Sequence, residues 1–285
     1  MERDMKPVKR FLCVAVFCAC SFGIQAEETI PGSSTQSVLA YARGPFLGEW
    51  IQPAVKADSV ANIKIAYAQF YSFYQNTHLT EEILDLMSLL EKFAQVRYSQ
   101  GLTTQQDVIR AQAEESAMKI ELNSLISERH HQMIKLNALM ARSPLEPLAE
   151  PKQLRPLPPP ERLDPVVIED RVKNLSPSLA AGVRFVPSSS ARDAIANQKR
   201  ALLAQNLAGL ATNRQSEKLI TDQLLPQAEL TFQVALVGYQ NGTVDFASLL
   251  DAQRQIRQIK QNQIKAQVDQ QVNLAEIERI LREDL

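Results

Sequence analysis

The fold is decided by residues 238–253, GYQNGTVDFASLLDAQ, because residues 97–112, RYSQGLTTQQDVIRAQ, repeat the same pattern. Both copies read Tyr-x-x-Gly, six residues, two aliphatic residues, one further residue and Ala-Gln, and the offset is 141 positions without a gap. Self-similarity at a fixed offset indicates an internal duplication. The sequence therefore predicts one structural unit that occurs twice.

Each copy lies between two long segments whose apolar residues recur at helical spacing, which predicts a helix, a tight turn and a return helix. Gly101 and Gly242 are expected to end the first helix of each pair, because glycine readily takes the left-handed conformation that closes a helix. Thr104 and Asp245 are expected to cap the return helices through their side-chain oxygens. The predicted unit is therefore a long antiparallel helical hairpin.

Composition divides the chain into five parts. A basic start and an apolar run predict that residues 1–26 are a secretory signal, and an irregular N-terminal arm follows at residues 27–57. Residues 58–142 form the first predicted hairpin, residues 143–190 a proline-rich connector with a short helix, and residues 191–285 the second hairpin. The predicted fold class is all-α, two long antiparallel coiled-coil hairpins with little or no β structure.

Several function classes have no support in the sequence. The three cysteines, Cys13, Cys18 and Cys20, precede the predicted cleavage site at Ala26, so the mature chain would offer no thiol for a disulfide, zinc site or nucleophile. Acylation of Cys20 stays open as an alternative to that cleavage. The formal net charge of −1 gives no electrostatic reason to expect nucleic-acid binding. No phosphate-binding glycine loop or hydrolase motif is present, so neither an enzyme nor a cofactor is predicted.

Metal binding is not predicted either. His130 and His131 are adjacent, and neighbouring residues of a helix point about 100° apart, so a solvated pair is expected rather than a metal site. Four methionines of the first hairpin are expected to fill the core rather than to bind metal: Met87, Met118, Met133 and Met140.

The two turns resemble those of the TolC-type outer-membrane efflux factors. The resemblance rests on the duplicated Tyr-x-x-Gly turns, on Leu-Pro-Gln-Ala at residues 225–228 and on Leu-Leu-Asp-Ala-Gln at residues 249–253. Residues 136–144, LNALMARSP, are also similar to the segment before the connector in that family. The resemblance covers about residues 57–150 and 191–282, and within the family it is nearest to the branch that serves heavy-metal exporters.

The resemblance implies a homotrimer whose helices form a tunnel across the periplasm, with the turns at tips where a periplasmic adaptor protein and an inner-membrane pump dock. In that family each protomer also gives four strands to an outer-membrane barrel, and four such strands with turns need more than about 50 residues. The segments before and between the hairpins are too short for them, with residues 180–186 as the main strand candidate. The chain is therefore expected to lack most or all of the barrel strands.

The resemblance also implies roles for particular residues at the turns. Asp251 matches an aspartate that lines the closed aperture, and Ser248 replaces a second one. Asp107 and Tyr239 match a pair that latches the tip, and Val244 replaces the arginine of that latch. Each carboxylate is also open to the simpler interpretation that it stabilises the start of a helix. The expected tip and aperture residues are Tyr98, Gly101, Asp107, Tyr239, Gly242, Asp245, Ser248 and Asp251.

The resulting functional prediction is an exported, passive α-helical tunnel component of a tripartite efflux system, for metal ions or other toxic compounds. It is expected in the outer membrane facing the periplasm, or in the periplasm if the strands are absent. The alternative is a soluble periplasmic coiled-coil interaction protein that keeps adaptor-binding tips but forms no channel.

Overall fold

The computed structural model describes residues 30–43, 53–164, 167–168 and 189–285. The predicted secretory signal with its three cysteines, the strand candidate in the connector and most of the connector's predicted short helix lie outside the described residues. Six α-helices are described: α1 (Thr35–Arg43), α2 (Pro53–Ser99), α3 (Gln105–Leu139), α4 (Ser189–Leu219), α5 (Leu225–Gln240) and α6 (Phe246–Leu281).

The long helices form two antiparallel hairpins that pack side by side. Helix α2 packs against α3 in the first hairpin, and α4 with α5 packs against α6 in the second. Helices α2 and α6 also pack against each other, so the order across the layer is α3, α2, α6 and then α4 with α5. Both glycine turns lie at the same end, which we call the tip. The predicted all-α class is therefore confirmed.

Helix α2 begins at Pro53, inside the stretch assigned to the irregular arm on sequence grounds. Proline is well tolerated at the first position of a helix, where its missing N–H would have no partner within the helix. The arm also contains helix α1, whose buried Val38 and Ala42 pack against Tyr67 of α2. The arm is thus part of the packed structure at the end remote from the tip.

The hydrophobic core at the tip belongs to both hairpins. Its buried side chains come from four helices, so neither hairpin could bury its apolar face without the other. The members of this tip cluster are Leu79, Ile83, Met87, Leu90 and Ala94 of α2, Val108, Ala111 and Met118 of α3, Ala235 and Tyr239 of α5, and Phe246, Leu249, Leu250 and Ala252 of α6.

At the end remote from the tip, the connector is hydrogen-bonded to the N-terminal arm. The backbone N–H groups of Ala149 and Lys152 donate to the carbonyls of Pro31 and Ser33, each at 3.0 Å. Within the described residues, β structure is limited to an isolated bridge between Ser34 and Gln153. In the same residues, no helix is long and apolar enough to cross a membrane.

The first helical segment of the second hairpin, α4 followed by α5, changes helical pitch before Pro226. Residues Ile220–Leu224 form a π-helical turn, in which the N–H of Leu225 donates to the carbonyl of Ile220. Proline removes one backbone hydrogen bond from a helix, and a π turn is a usual way for a helix to absorb such an irregularity. The irregularity in this helix therefore lies in the turn directly before Pro226.

Candidate functional site

The two turns at the tip have the glycine conformation that the sequence predicts. Gly101 has φ +69° and Gly242 has φ +74°, both in the left-handed region. The N–H of Gly101 donates to the carbonyl of Tyr98 at 3.0 Å, and the N–H of Gly242 donates to that of Tyr239 at 3.1 Å. Each glycine thus closes its helix with the same bond, and the predicted helix ends are confirmed.

The return helices begin differently in the two copies. Asp245 is the N-cap of α6, and its Oδ1 accepts from the N–H of Ser248 at 2.7 Å, which lowers the pKa of Asp245. Thr104 occupies the corresponding position before α3, but its side chain makes no capping bond. The first copy instead has a hydrogen bond from the hydroxyl of Thr103 to the Asp107 carboxylate. Capping by Asp245 is therefore confirmed, whereas side-chain capping by Thr104 is wrong.

The equivalent tyrosines of the two turns have opposite environments. Tyr98 is 43% exposed, whereas Tyr239 is only 2% exposed. The ring of Tyr239 lies between Phe93 of the first hairpin and Phe246 of its own, at centroid distances of 5.7 and 5.2 Å. Tyr239 is therefore a core residue that joins the hairpins, and Tyr98 is a surface residue.

Arg97 makes the buried polar contact between the two hairpins at the tip. Its Nη1 donates to the carbonyl of Gln240 at 2.7 Å, and its Nη2 donates to the carbonyl of Leu102 at 3.4 Å. The guanidinium carbon lies 4.9 Å from the centroid of the Tyr239 ring, within the range of a cation–π interaction. We call Arg97, Tyr239 and the Gln240 carbonyl the tip joint.

Nothing in the repeat pattern singles out Arg97, because the second copy has Gly238 at the equivalent position. A Cβ added at Gly238 would lie 2.4 Å from Cγ2 of Val244. Val244, which replaces the expected latch arginine, therefore packs onto Gly238, and the arginine of the tip comes from the other hairpin. The only sign of Arg97 in the sequence was that the two copies have different residues at this position.

Asp107 and Tyr239 lie near each other, but no hydrogen bond joins them. The Tyr239 hydroxyl is buried and has no hydrogen-bond partner among the described residues. Burial raises the pKa of Tyr239, and the nearby Asp107 carboxylate raises it further, whereas Thr103 and Arg97 are close enough to lower it. The expected pair is thus adjacent without forming the hydrogen bond of a latch.

The aperture candidates lie on the exposed face of the first turns of α6. Asp251 is exposed, and its Oδ1 accepts from Nη1 of Arg254 at 3.0 Å. Arg254 also reaches Glu114 of the first hairpin, with Nη2 to Oε2 at 2.6 Å. Ser248 is exposed beside them. The negative charge of Asp251 is consequently balanced in part by an arginine one turn further on.

The residues considered for metal binding are not grouped with others. His130 and His131 are both exposed on α3. No cluster of three or more histidine, cysteine, aspartate or glutamate side chains suited to a metal ion occurs in the described part of the chain. Three of the four methionines, Met87, Met118 and Met140, are buried in the core, as expected.

Solved structures with this fold are outer-membrane efflux channels of the TolC family. The outer-membrane channel OprN matches with a TM-score of 0.63 and 17% identity, over 87% of this chain and 70% of that one. VceC of Vibrio cholerae matches with a TM-score of 0.63 and 17% identity, over 88% and 74% of the two chains. CusC matches with a TM-score of 0.57 and 14% identity, over 88% and 72%.

The comparisons of sequence give no further relative. No family model matches the chain, and no curated protein matches it. At identities of 14 to 17%, the structural similarity establishes the fold. The chain thus has the paired-hairpin fold that these channels share, with its two turns joined at one end.

Proposed function

We propose that this chain is the α-helical conduit component of a tripartite efflux system, through which substrates pass without chemical change. The observation that carries the proposal is the tip, where two duplicated glycine turns share one buried core and one joint. A coiled hairpin that served only as a spacer would not need both turns at one end with a common core. The similarity in fold to outer-membrane channels such as OprN and VceC supports the same conclusion.

Assembly into a homotrimer is part of the proposal. Helices α3 and α5 lie at opposite edges of the helical layer, and each exposes large apolar side chains. Contact between one edge and the opposite edge of the next copy is head-to-tail, and such contacts generate a ring when the rotation between copies closes, as a trimer requires. The exposed apolar residues are Ile109, Ile120 and Ile126 on α3, and Leu230, Val234 and Val237 on α5.

The tip of the first hairpin is the proposed contact for a periplasmic adaptor protein. Val96, Tyr98 and Leu102 are exposed there. The equivalent tyrosine of the second turn is buried in the tip joint and offers its ring to no partner. Adaptor binding is therefore assigned mainly to the first turn, and an inner-membrane pump would act through that adaptor. No nucleic-acid partner is proposed.

Three finer points rest on the resemblance in sequence. Metal ions are the first substrates to test, because the turns are nearest to the heavy-metal branch. Asp251 with Ser248 is proposed to face the aperture. The predicted lack of membrane strands, and with it the choice between the outer membrane and the periplasm, remains a prediction.

Cell fractionation with site-specific cross-linking tests the proposal. The three cysteines precede the predicted cleavage site, so a Val234→Cys variant carries one new thiol for a photoactivated cross-linker at the α5 edge. We expect a trimer that enriches with the outer membrane. Gln255→Cys on α6, an inner helix of the layer, is the matched control and should give no cross-linked trimer.

Two other outcomes decide against the conduit. A monomer that never enriches with the outer membrane would refute it. A monomeric periplasmic protein that still captures the adaptor through Tyr98 and Leu102 would establish the alternative, an interaction protein that forms no channel.

A further inference from the structure

Arg97 and Arg254 both connect the hairpins near the tip, and they differ in environment; Arg257 pairs with Glu121 across the hairpins one turn further along. Arg97 is 9% exposed and donates to a backbone carbonyl of the other hairpin. Arg254 also crosses between hairpins, to Glu114, but its side chain is 48% exposed. Exposed ion pairs contribute little because water competes for both charges, whereas a desolvated guanidinium keeps its bonds. The two arginines are therefore not equivalent as links.

The surroundings of Arg97 fix its side chain from several directions. Phe93 and Tyr239 present their rings to the guanidinium, with centroid distances of 5.9 and 4.9 Å. The planar fork of the group serves one carbonyl on each hairpin, those of Leu102 and Gln240. A lysine could not serve both carbonyls with one fixed planar group. The site is consequently specific for arginine.

The Tyr239 hydroxyl is the obvious competitor for this role, and it lies close to Thr103 and Arg97 of the other hairpin without meeting the distance and angle of a hydrogen bond. The Tyr239 hydroxyl has no partner in the described part of the chain, and the Asp107 carboxylate is held by Thr103 of its own turn. The second turn has Val244, not an arginine, and that valine packs within its own hairpin against Gly238. The cross-tip hydrogen bond that remains at the core is the one that Arg97 donates.

We infer that Arg97 is the positioning residue that holds the two hairpin tips together and sets their separation. Loss of its guanidinium leaves the Gln240 carbonyl without its donor and removes the cation from the Tyr239 ring. The tip cluster spans both hairpins and does not include Arg97, so the hairpins should stay helical and packed together while the two turns beyond that cluster move apart. The further step, that separation of the turns regulates passage through a conduit, rests on the proposed function.

Distance measurements between the two tips test the role of Arg97 without reference to transport. Nitroxide labels are placed at Gln100→Cys and Asn241→Cys, exposed positions on the two turns, in a chain whose native cysteines are serine. Dilution with unlabelled protein restricts the signal to distances within one chain. We expect Arg97→Gln to give a longer mean distance and a broader distribution, with unchanged helical content by circular dichroism.

Three matched variants make the result specific. Arg254→Gln removes the exposed link and should keep the original distribution. Tyr239→Phe removes the hydroxyl but keeps the ring that faces the guanidinium, and should also keep the original distribution. Arg97→Lys keeps the charge but loses the planar fork, and should give an intermediate distance distribution. The same variant replaces Arg97→Gln as the test if Arg97→Gln does not fold.

An unchanged distribution in both Arg97 variants would overturn the inference. So would a Tyr239→Phe variant that separates the tips as much as Arg97→Gln does, because the hydroxyl would then be the link. Entry of a bulky compound that the outer membrane excludes is measured separately in cells. Separated tips without increased entry would uphold Arg97 as the link and count against the conduit.

Discussion

Glu278 should be the most sensitive single carboxylate in the described part of the chain. Its two oxygens accept from Nη1 and Nη2 of Arg155 at 2.7 and 2.8 Å, and Oε2 also accepts from Nζ of Lys64 at 2.8 Å. The side chains of Lys64 and Glu278 are each 4% exposed. These contacts connect α2, the connector and the end of α6. One carboxylate therefore balances two largely buried cations, Lys64 and Arg155.

The substitution Glu278→Gln keeps the shape of this side chain and removes its charge. Breaking a buried pair leaves an uncompensated charge, which typically costs about 3–5 kcal/mol. Asp284 still lies 2.6 Å from Lys64, so part of the compensation remains. We therefore expect the free energy of unfolding to fall by about 3 kcal/mol, at the low end of that range.

Urea unfolding followed by circular dichroism at 222 nm measures the loss, and Glu114→Gln supplies the control. Glu114 also pairs with an arginine across the hairpins, but Arg254 is half exposed, so this variant should lose less than about 1 kcal/mol. The substitution is chemically identical in the two variants. Equal losses, or a loss below about 1 kcal/mol in Glu278→Gln, would show that burial does not govern these pairs.

Two further predictions concern the tip. Gly242→Val should lower the free energy of unfolding by about 1–2 kcal/mol, because φ is +74° and valine resists the left-handed region. Asparagine tolerates that region, so Gly242→Asn should lose less stability. Equal stability of the two variants in urea would contradict this prediction. Arg254 lowers the pKa of Glu114 below 4.5, so their pairing stabilises the fold above that pH and is lost as the pH falls through the lower folded-state pKa. The stability difference between the natural chain and Glu114→Gln should therefore shrink below pH 4.5, and a constant difference from pH 7 to pH 3 would exclude this linkage.

The parts of the fold that local rules control could be predicted from the sequence. Gly101 and Gly242 end their helices in the left-handed conformation because the requirement lies within a few residues of backbone. Asp245 caps α6 for the same reason, since its acceptor and the N–H of Ser248 are three residues apart. The duplication then extends each local prediction to a second place in the chain.

The parts that depend on contacts between hairpins could not be predicted in this way. Tyr98 and Tyr239 are identical in the repeat, yet the packing of α2 against α6 buries only Tyr239. Arg97 matters because of the Gln240 carbonyl, which is 143 residues away in the sequence. A comparison of the copies emphasises what they share, whereas Arg97 of the joint stands at one of the many positions where they differ.

The difference between the copies also separates the three carboxylates of the tip. Asp107 is held by Thr103 beside the start of α3, and Asp245 bonds the first turn of α6, so each turn has one acidic group near a helix start. That arrangement fits the favourable interaction of carboxylates with helix N-termini and requires no role in transport. Asp251 has no such explanation, because it lies beyond the first turn of α6 and the equivalent residue of the first copy is Arg110. Asp251 pairs instead with Arg254 one turn further on, so the aperture role of Asp251 stays a prediction from the resemblance in sequence.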